Sequence, residues 1–270
     1  MPIKRKTLIL LINRLIVATI GLPLTVLFIL SPEPIFAAIT EIILAIATIE
    51  IIRNRVVNNT RHDLLILGTG AAATAFIAAF IRVGIQDAVW ILLIPTAIII
   101  WSVFTSYKWT KTTIYWWSMS VIYISTLGSH FILINQINNG QNWIILMLGI
   151  VFATDTGAYT IGKLFGKHKL IPSISPNKTW EGAFGGYFVG ILIGGGIIYI
   201  LNTNLSTSLI ILFSCPVIAM IGDIIESQIK RKLSVKDISN ILPGHGGILD
   251  RIDSILFTAP WVYWVIIWIN

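Results

Sequence analysis

The chain alternates between long apolar runs and short polar breaks, not between apolar and polar positions within a run. Mainly apolar stretches recur at approximately 11–30, 35–52, 64–82, 86–106, 112–134, 143–165, 180–201, 206–228 and 252–269. Each is close to the roughly 20 residues that a helix needs to cross the hydrocarbon core. Helix is the expected element for every run, because a spanning segment must satisfy its own backbone N–H and C=O groups. The pattern predicts an all-α integral membrane protein of about nine transmembrane helices. Composition sharpens this: 56% of the 270 residues are hydrophobic and only 11% are charged, against roughly 25% charged in soluble domains. Mean hydropathy is +0.85. The first run follows Lys4, Arg5 and Lys6 and could pass for a signal peptide. Asn13 and Arg14 interrupt its start and no small-residue cleavage site follows, so it is expected to be a retained helix.

Basic residues give the orientation. With a cytoplasmic N-terminus, the N-terminal segment and the connections after the second, fourth, sixth and eighth runs hold every Lys and Arg except Arg82. That distribution follows the positive-inside rule. The net charge of +7 is then a topology signal and an attraction for anionic head groups at the cytoplasmic leaflet, which makes the lipid bilayer the partner and leaves no role for nucleic acid. Cys215 is the single cysteine and lies in an apolar run, which excludes a disulfide framework and a cysteine metal site. Tryptophans such as Trp116, Trp143, Trp180 and Trp268 fall near run ends, as interfacial anchors do.

Acidic residues divide the chain. Glu33, Glu41, Glu50, Asp63 and Asp87 are scattered over the first half, whereas Asp155, Glu181, Asp223, Glu226, Asp237, Asp250 and Asp253 accompany motif-like sequence after residue 150. Residues 1–140 are therefore expected to be a scaffold of about five helices, and 141–270 the functional region of about four helices with polar loops. Glu41, inside the second run, either faces a helix interface or has a role of its own.

Three constellations carry the candidate chemistry. In the sixth run, Asp155 lies deep in the hydrocarbon region, where an ionised carboxylate costs roughly 2.5 to 3.5 kcal/mol. Tyr159 and Lys163 follow at i+4 and i+8, so the three share a helix face running toward the cytoplasm. Asp155 is either held by hydroxyls between helices or lines a polar cavity. In the next loop, Pro176 stops a preceding helix and Thr179 is placed to cap the seventh run, with Glu181 in its first turn. That helix start, flanked by Ser175 and Lys178, is either a phosphate site or simply a capped end. Beyond it Gly182, Gly186, Gly190 and Gly194 recur every four residues, as a helix-packing stripe does.

The third constellation runs from Asp223 to Asp253, where five acids, five bases and His245 fall between two apolar runs. Asp223, Glu226, Ser227 and Lys230 share one helix face. The Pro243-Gly244-His245-Gly246-Gly247 turn can wrap an anion in backbone N–H groups, and Asp250 and Asp253 open the last run. Mg²⁺ is commonly held by one or two carboxylates together with substrate phosphates and water. Asp223 and Asp250, from separate helices, are the natural pair.

The stretch from Ser227 through Lys230-Arg231, Lys236-Asp237, Ser239, Pro243-Gly-His245-Gly246-Gly247 and Asp250-Arg251-Ile-Asp253 resembles the signature of the phosphatidate cytidylyltransferases, the CDP-diacylglycerol synthases. Asp155-Thr-Gly-Ala-Tyr159 and Ser175-Pro-Asn-Lys178-Thr-Trp-Glu181-Gly182 are similar to that family too, with Asn177 standing where a basic residue is expected. The likeness covers approximately residues 150–260. Before residue 140 it is general, including the Glu50 to Arg53 end of the second run, and no role carries over there.

The resemblance implies an all-helical nucleotidyltransferase that condenses phosphatidic acid with CTP to give CDP-diacylglycerol and pyrophosphate in phospholipid biosynthesis. It implies Mg²⁺, a monovalent cation such as K⁺ beside it, a homodimer, and the plasma membrane of a bacterium with the active site facing the cytoplasm. By the family's pattern Asp223 and Asp250 would hold metal. Lys230, Arg231, Lys236, Asp237, His245 and Arg251 would form the catalytic set, its cations neutralising the triphosphate. Asp155, Tyr159, Ser175, Lys178, Glu181, Ser227, Gly246 and Gly247 would bind substrate. His245 either contacts a phosphate or only holds its turn. Two other readings stay open: a secondary transporter, which should show an internal repeat that is not found, and a related lipid enzyme such as a polyprenol kinase or an ether-lipid cytidylyltransferase.

Overall fold

The computed structural model describes residues 19, 21, 23–56, 61–83, 110–239, 241 and 246–269. The expected run at 86–106, most of that at 11–30, and His245 lie outside the described residues. Seven helices of more than twenty residues follow in order: α1 (Glu33–Val56), α2 (Arg61–Val83), α3 (Lys111–Gln136), α4 (Gly140–Phe165), α5 (Trp180–Leu201), α6 (Leu205–Lys232) and α7 (Leu249–Ile269). They coincide with the seven other expected runs. Among the described residues six of them, all but α2, are long and apolar enough to cross a bilayer, while the apolar part of α2 is the shorter Ile66–Arg82. These helices make a multi-pass membrane protein.

One departure from all-helical structure lies in the loop after α4. There the chain forms an antiparallel ribbon, β1 (Lys169–Ile171) with β2 (Ser175–Thr179), in which Lys169 faces Thr179 and Ile171 faces Ser175. Two prolines, Pro172 and Pro176, disfavour helix here. Pro172 instead opens a turn, closed by the Ile174 N–H donating to the Ile171 carbonyl at 3.2 Å, a position that suits its fixed φ.

The chain divides into two compact units: residues 1–125 with Asp237–Arg251, and Thr126–Lys236 with Ile252–Asn270. In the first unit, α1 and α2 meet through a hydroxyl contact of 2.8 Å between Thr48 and Thr74. Arg82 bridges the same two helices, with Nε 3.1 Å from Glu33 and Nη1 3.5 Å from Glu41. The single cation that departs from the positive-inside pattern is thus a structural partner for two acids of α1, and Glu41 faces a helix interface.

In the second unit the glycine stripe of α5 packs on α4. A Cβ on Gly182 would come within 2.7 Å of the Ala158 carbonyl, and one on Gly186 within 2.8 Å of the Ala158 Cβ. Only glycine permits this approach, which is how membrane helices gain contact without a hydrophobic drive. The opposite face of α5 exposes Phe184, Phe188 and Leu192, apolar side chains suited to hydrocarbon. At the other end of the unit, the Trp261 indole of α7 donates to Ser214 Oγ of α6 at 2.7 Å.

Candidate active site

Where α4 ends, the ribbon turns and α6 passes, the second unit encloses a cavity of about 500 Å³ lined by Asp155, Tyr159, Lys163, Lys169, Asn177, Lys178 and Asp223 among others. The helical face expected of Asp155, Tyr159 and Lys163 forms one wall, so Asp155 lines this cavity. Lys163 Nζ stands 5.8 Å from the Tyr159 ring centroid, within reach of a cation–π attraction. The opposing wall is charged as well: Lys178 Nζ of β2 is 2.7 Å from Asp223 Oδ2 of α6. The two side chains are intermediate in exposure, 24% and 33%, and the Lys178 Nζ itself is buried.

The helix start beside this cavity is built as its sequence predicts. Thr179 has extended backbone, φ −128° and ψ 154°, and its Oγ1 accepts the Gly182 N–H at 3.1 Å. Glu181, in the first turn, is turned away from the cavity. Both of its carboxylate oxygens accept the His168 N–H at 3.2 Å, and His168 Nδ1 lies 2.6 Å from Oε1. Ser175 and Ser227 do not line the cavity either. Ser175 is a paired strand residue and Ser227 is buried.

Further along α6, Glu226 is fully buried and pairs with Lys230 Nζ at 2.5 Å. Arg231 secures the ribbon to the end of the helix, its Nε donating to the Ile174 carbonyl at 3.0 Å and its Nη1 to that of Val235 at 3.3 Å. Lys230 and Arg231 thus have partners within the protein. Asp253, which the sequence placed at the start of the last run, is a further acid at this place. Asp253 of α7 lies where the charges of Asp223, Lys178 and Lys230 all act on it, and the two helices approach closely there, since a Cβ on Gly222 would be 3.2 Å from the Asp253 carbonyl.

In the first unit, the segment 237–251 carries Asp237, Gly246, Gly247, Asp250 and Arg251, and Asp237 and Arg251 are exposed; exposed Lys236, which belongs to the second unit, immediately precedes it in sequence. Asp250 folds the segment back on itself: Oδ2 accepts the Gly247 N–H at 2.8 Å and the Ile238 N–H at 3.1 Å. Gly246 has φ +85°, a conformation open to glycine at no steric cost. Glu50 of α1 accepts three more donors: Ser239 Oγ at 2.6 Å and the Ile248 N–H at 3.0 Å on Oε1, and the Leu249 N–H at 2.9 Å on Oε2. A phosphate meeting this turn through its backbone would compete with Asp250 and Glu50 for those N–H groups. No sequence pattern singled out Glu50, since its partners lie 189 to 199 residues away.

Carboxylate oxygens are the donors that a hard cation such as Mg²⁺ takes, and one or two suffice when phosphate and water complete its shell. Among the described residues no group of three or more His, Cys, Asp or Glu is assembled. Asp223, in the cavity wall, offers carboxylate oxygens of that kind.

A family model described as "Cytidylyltransferase family" matches residues 12–269. Curated relatives are named phosphatidate cytidylyltransferase: one from Staphylococcus aureus is 44% identical over 125 residues, 46% of this chain and 48% of that protein. One from Bacillus subtilis is 42% identical over 150 residues, 54% and 55% of the two chains. One from Staphylococcus epidermidis is 46% identical over 125 residues, again 46% and 48%. The chain spans about half the length of the curated relatives it matches.

Proposed function

Because this chain belongs to the cytidylyltransferase family, we propose that it transfers CMP from CTP to phosphatidic acid, giving CDP-diacylglycerol and pyrophosphate. The observation that carries the reading is the Lys178–Asp223 pair in a cavity with two further lysines. Charge of both signs is what a nucleotide–metal complex meeting an anionic lipid requires.

The reaction asks for little acid–base chemistry. A phosphomonoester has a second pKa of about 6 and is already largely dianionic near neutrality. An oxygen of the lipid phosphate attacks the α-phosphorus of CTP, the bond from that phosphorus to the bridging oxygen of the β-phosphate breaks, and pyrophosphate leaves with the electron pair. Catalysis is then positioning plus neutralisation of charge, as in other phosphoryl transfers. Lys163, Lys169 and Lys178 surround the cavity and would take phosphate oxygens, with Lys178 released from Asp223 as it gains one. Lys236, Arg251 and His245 are proposed for the triphosphate. Lys230 and Arg231 would act while tied to Glu226 and to backbone carbonyls, so their contribution is to shape the site and its field.

Asp223 and Asp250 would hold Mg²⁺, which when bound neutralises triphosphate charge and orients the phosphates. A K⁺ ion beside it, a homodimer and a cytoplasm-facing site belong to the same proposal. The orientation is supported by the basic residues at the end of α4, in the ribbon and at the end of α6.

The test is an assay of the purified protein in detergent with phosphatidic acid, Mg²⁺ and CTP labelled at either the α- or the γ-phosphate. Metal-dependent passage of α-label into the organic phase is expected. Passage of γ-label instead would identify a lipid kinase, and no transfer of either label across several lipids would remove the enzymatic reading.

A further inference from the structure

Glu50 is 2% exposed and sits near the C-terminal end of α1, a mainly apolar helix. A buried carboxylate persists only where donors meet it, and here three converge on its two oxygens, from Ser239, Ile248 and Leu249. Ile248 and Leu249 lie at the start of α7, whose first N–H groups have no acceptor within the helix. Glu50 therefore caps α7 from a distant part of the chain, where Thr179 caps α5 from the adjoining residue. One turn further along α1, Asn54 Nδ2 donates to the Ile238 carbonyl at 2.6 Å. The end of α1 thus grips both ends of the segment 238–249, and Asp250 ties Ile238 to Gly247 within it. The grip leaves no slack: a Cβ on Gly247 would stand 2.8 Å from each Glu50 oxygen.

We infer that Glu50 is a positioning residue for Asp250: by capping the helix that carries Asp250 it fixes the direction of that carboxylate, and with it the affinity for the metal. The inference rests on the proposed role of Asp250 as a metal ligand. Groups that orient a ligand carboxylate typically matter by about 10-fold to 100-fold in metal affinity.

The experiment uses the full chain in detergent, without CTP or lipid, titrated with Mn²⁺ and followed by electron paramagnetic resonance. In parallel, the Mg²⁺ concentration for half-maximal turnover and the thermal midpoint are measured. Glu50→Gln should weaken Mn²⁺ binding by about 10-fold or more and raise the Mg²⁺ requirement by the same factor, because its amide sets a donor against backbone N–H groups. Ser239→Ala removes one of the three donors and leaves the carboxylate in place; a shift of about threefold is expected, the equivalent of one hydrogen bond. If Glu50→Gln does not fold, Ser239→Ala decides. Mn²⁺ affinity within twofold of wild type in the folded variants, whatever their thermal midpoints, overturns the inference and leaves Glu50 a structural residue. A wild-type protein that binds Mn²⁺ but transfers no CMP removes the proposed function while the Mn²⁺ titration still judges Glu50. An Asp250→Asn protein with unchanged Mn²⁺ affinity removes the premise and overturns the inference with it.

Discussion

The ribbon at 169–179 and the segment at 237–250 are both polar connections that open onto apolar helices, yet they are ordered by opposite means. In the ribbon the backbone does most of the work: strand pairs join Lys169 to Thr179 and Ile171 to Ser175, the Trp180 N–H continues to the His168 carbonyl, and Thr179 caps its own helix. In the later segment the backbone N–H groups of Ile238, Gly247, Ile248 and Leu249 go to two carboxylates, Asp250 within it and Glu50 on α1. The contrast teaches that a loop ordered by its own backbone distributes the load, whereas a loop ordered by side-chain acceptors concentrates it on very few atoms. In both, a charged side chain is already engaged by the protein: Lys178 of the ribbon by Asp223, and Asp250 of the later segment by backbone N–H groups.

Substitutions can break this contrast. The largest effect is expected for Asp250→Asn, which keeps one acceptor for the turn but loses the charge. Turnover should fall by about 100- to 1,000-fold, comparable to losing one preorganised electrostatic contact in an active site, with the helical circular dichroism spectrum intact. Near-normal CMP transfer by that variant would refute the metal role. Next in size is Gly247→Ala, whose methyl group meets the Glu50 carboxylate. Displacing that group should cost about 1 to 3 kcal/mol and lower the thermal midpoint together with activity; an unperturbed protein would mean that the segment is looser than its hydrogen bonds indicate. The smallest effect is expected in the ribbon, where Thr179→Ala deletes one cap bond worth about 1 kcal/mol. A modest fall in thermal midpoint with the CTP KM nearly unchanged is expected, and a collapse of activity would show that the ribbon also depends on a single side chain.

The sequence made legible what is encoded locally. Apolar runs gave the helices because length and hydropathy are summed over neighbours, and α1 to α7 lie where those runs are. The Thr179 cap, the glycine stripe and the shared face of Asp155, Tyr159 and Lys163 were readable for the same reason, since each is set by residues a few positions apart. The ribbon was not foreseen: two prolines within five residues say where a helix ends and not what replaces it. Nor was the separation of the polar block into Glu226 bound to Lys230, Arg231 bound to carbonyls, and Asp253 set beside Asp223. Charge on one helix face is visible in sequence, but the partner that consumes it is not. Glu50 is the extreme case, an isolated acid in an apolar run whose purpose lies in residues far along the chain.

That distance has a consequence for how the protein is made. α1 leaves the ribosome with its acid in place, and the first donor, Ser239, follows only 189 residues later. At ~5 to 20 residues per second the growing chain waits on the order of 10 to 40 s before Glu50 can find any of its partners. During that interval α1 must be kept near water or head groups at its acidic end, and a message truncated before residue 239 would leave it so permanently. The buried carboxylate thus marks, in time, the moment at which the early helices of the chain become able to finish folding.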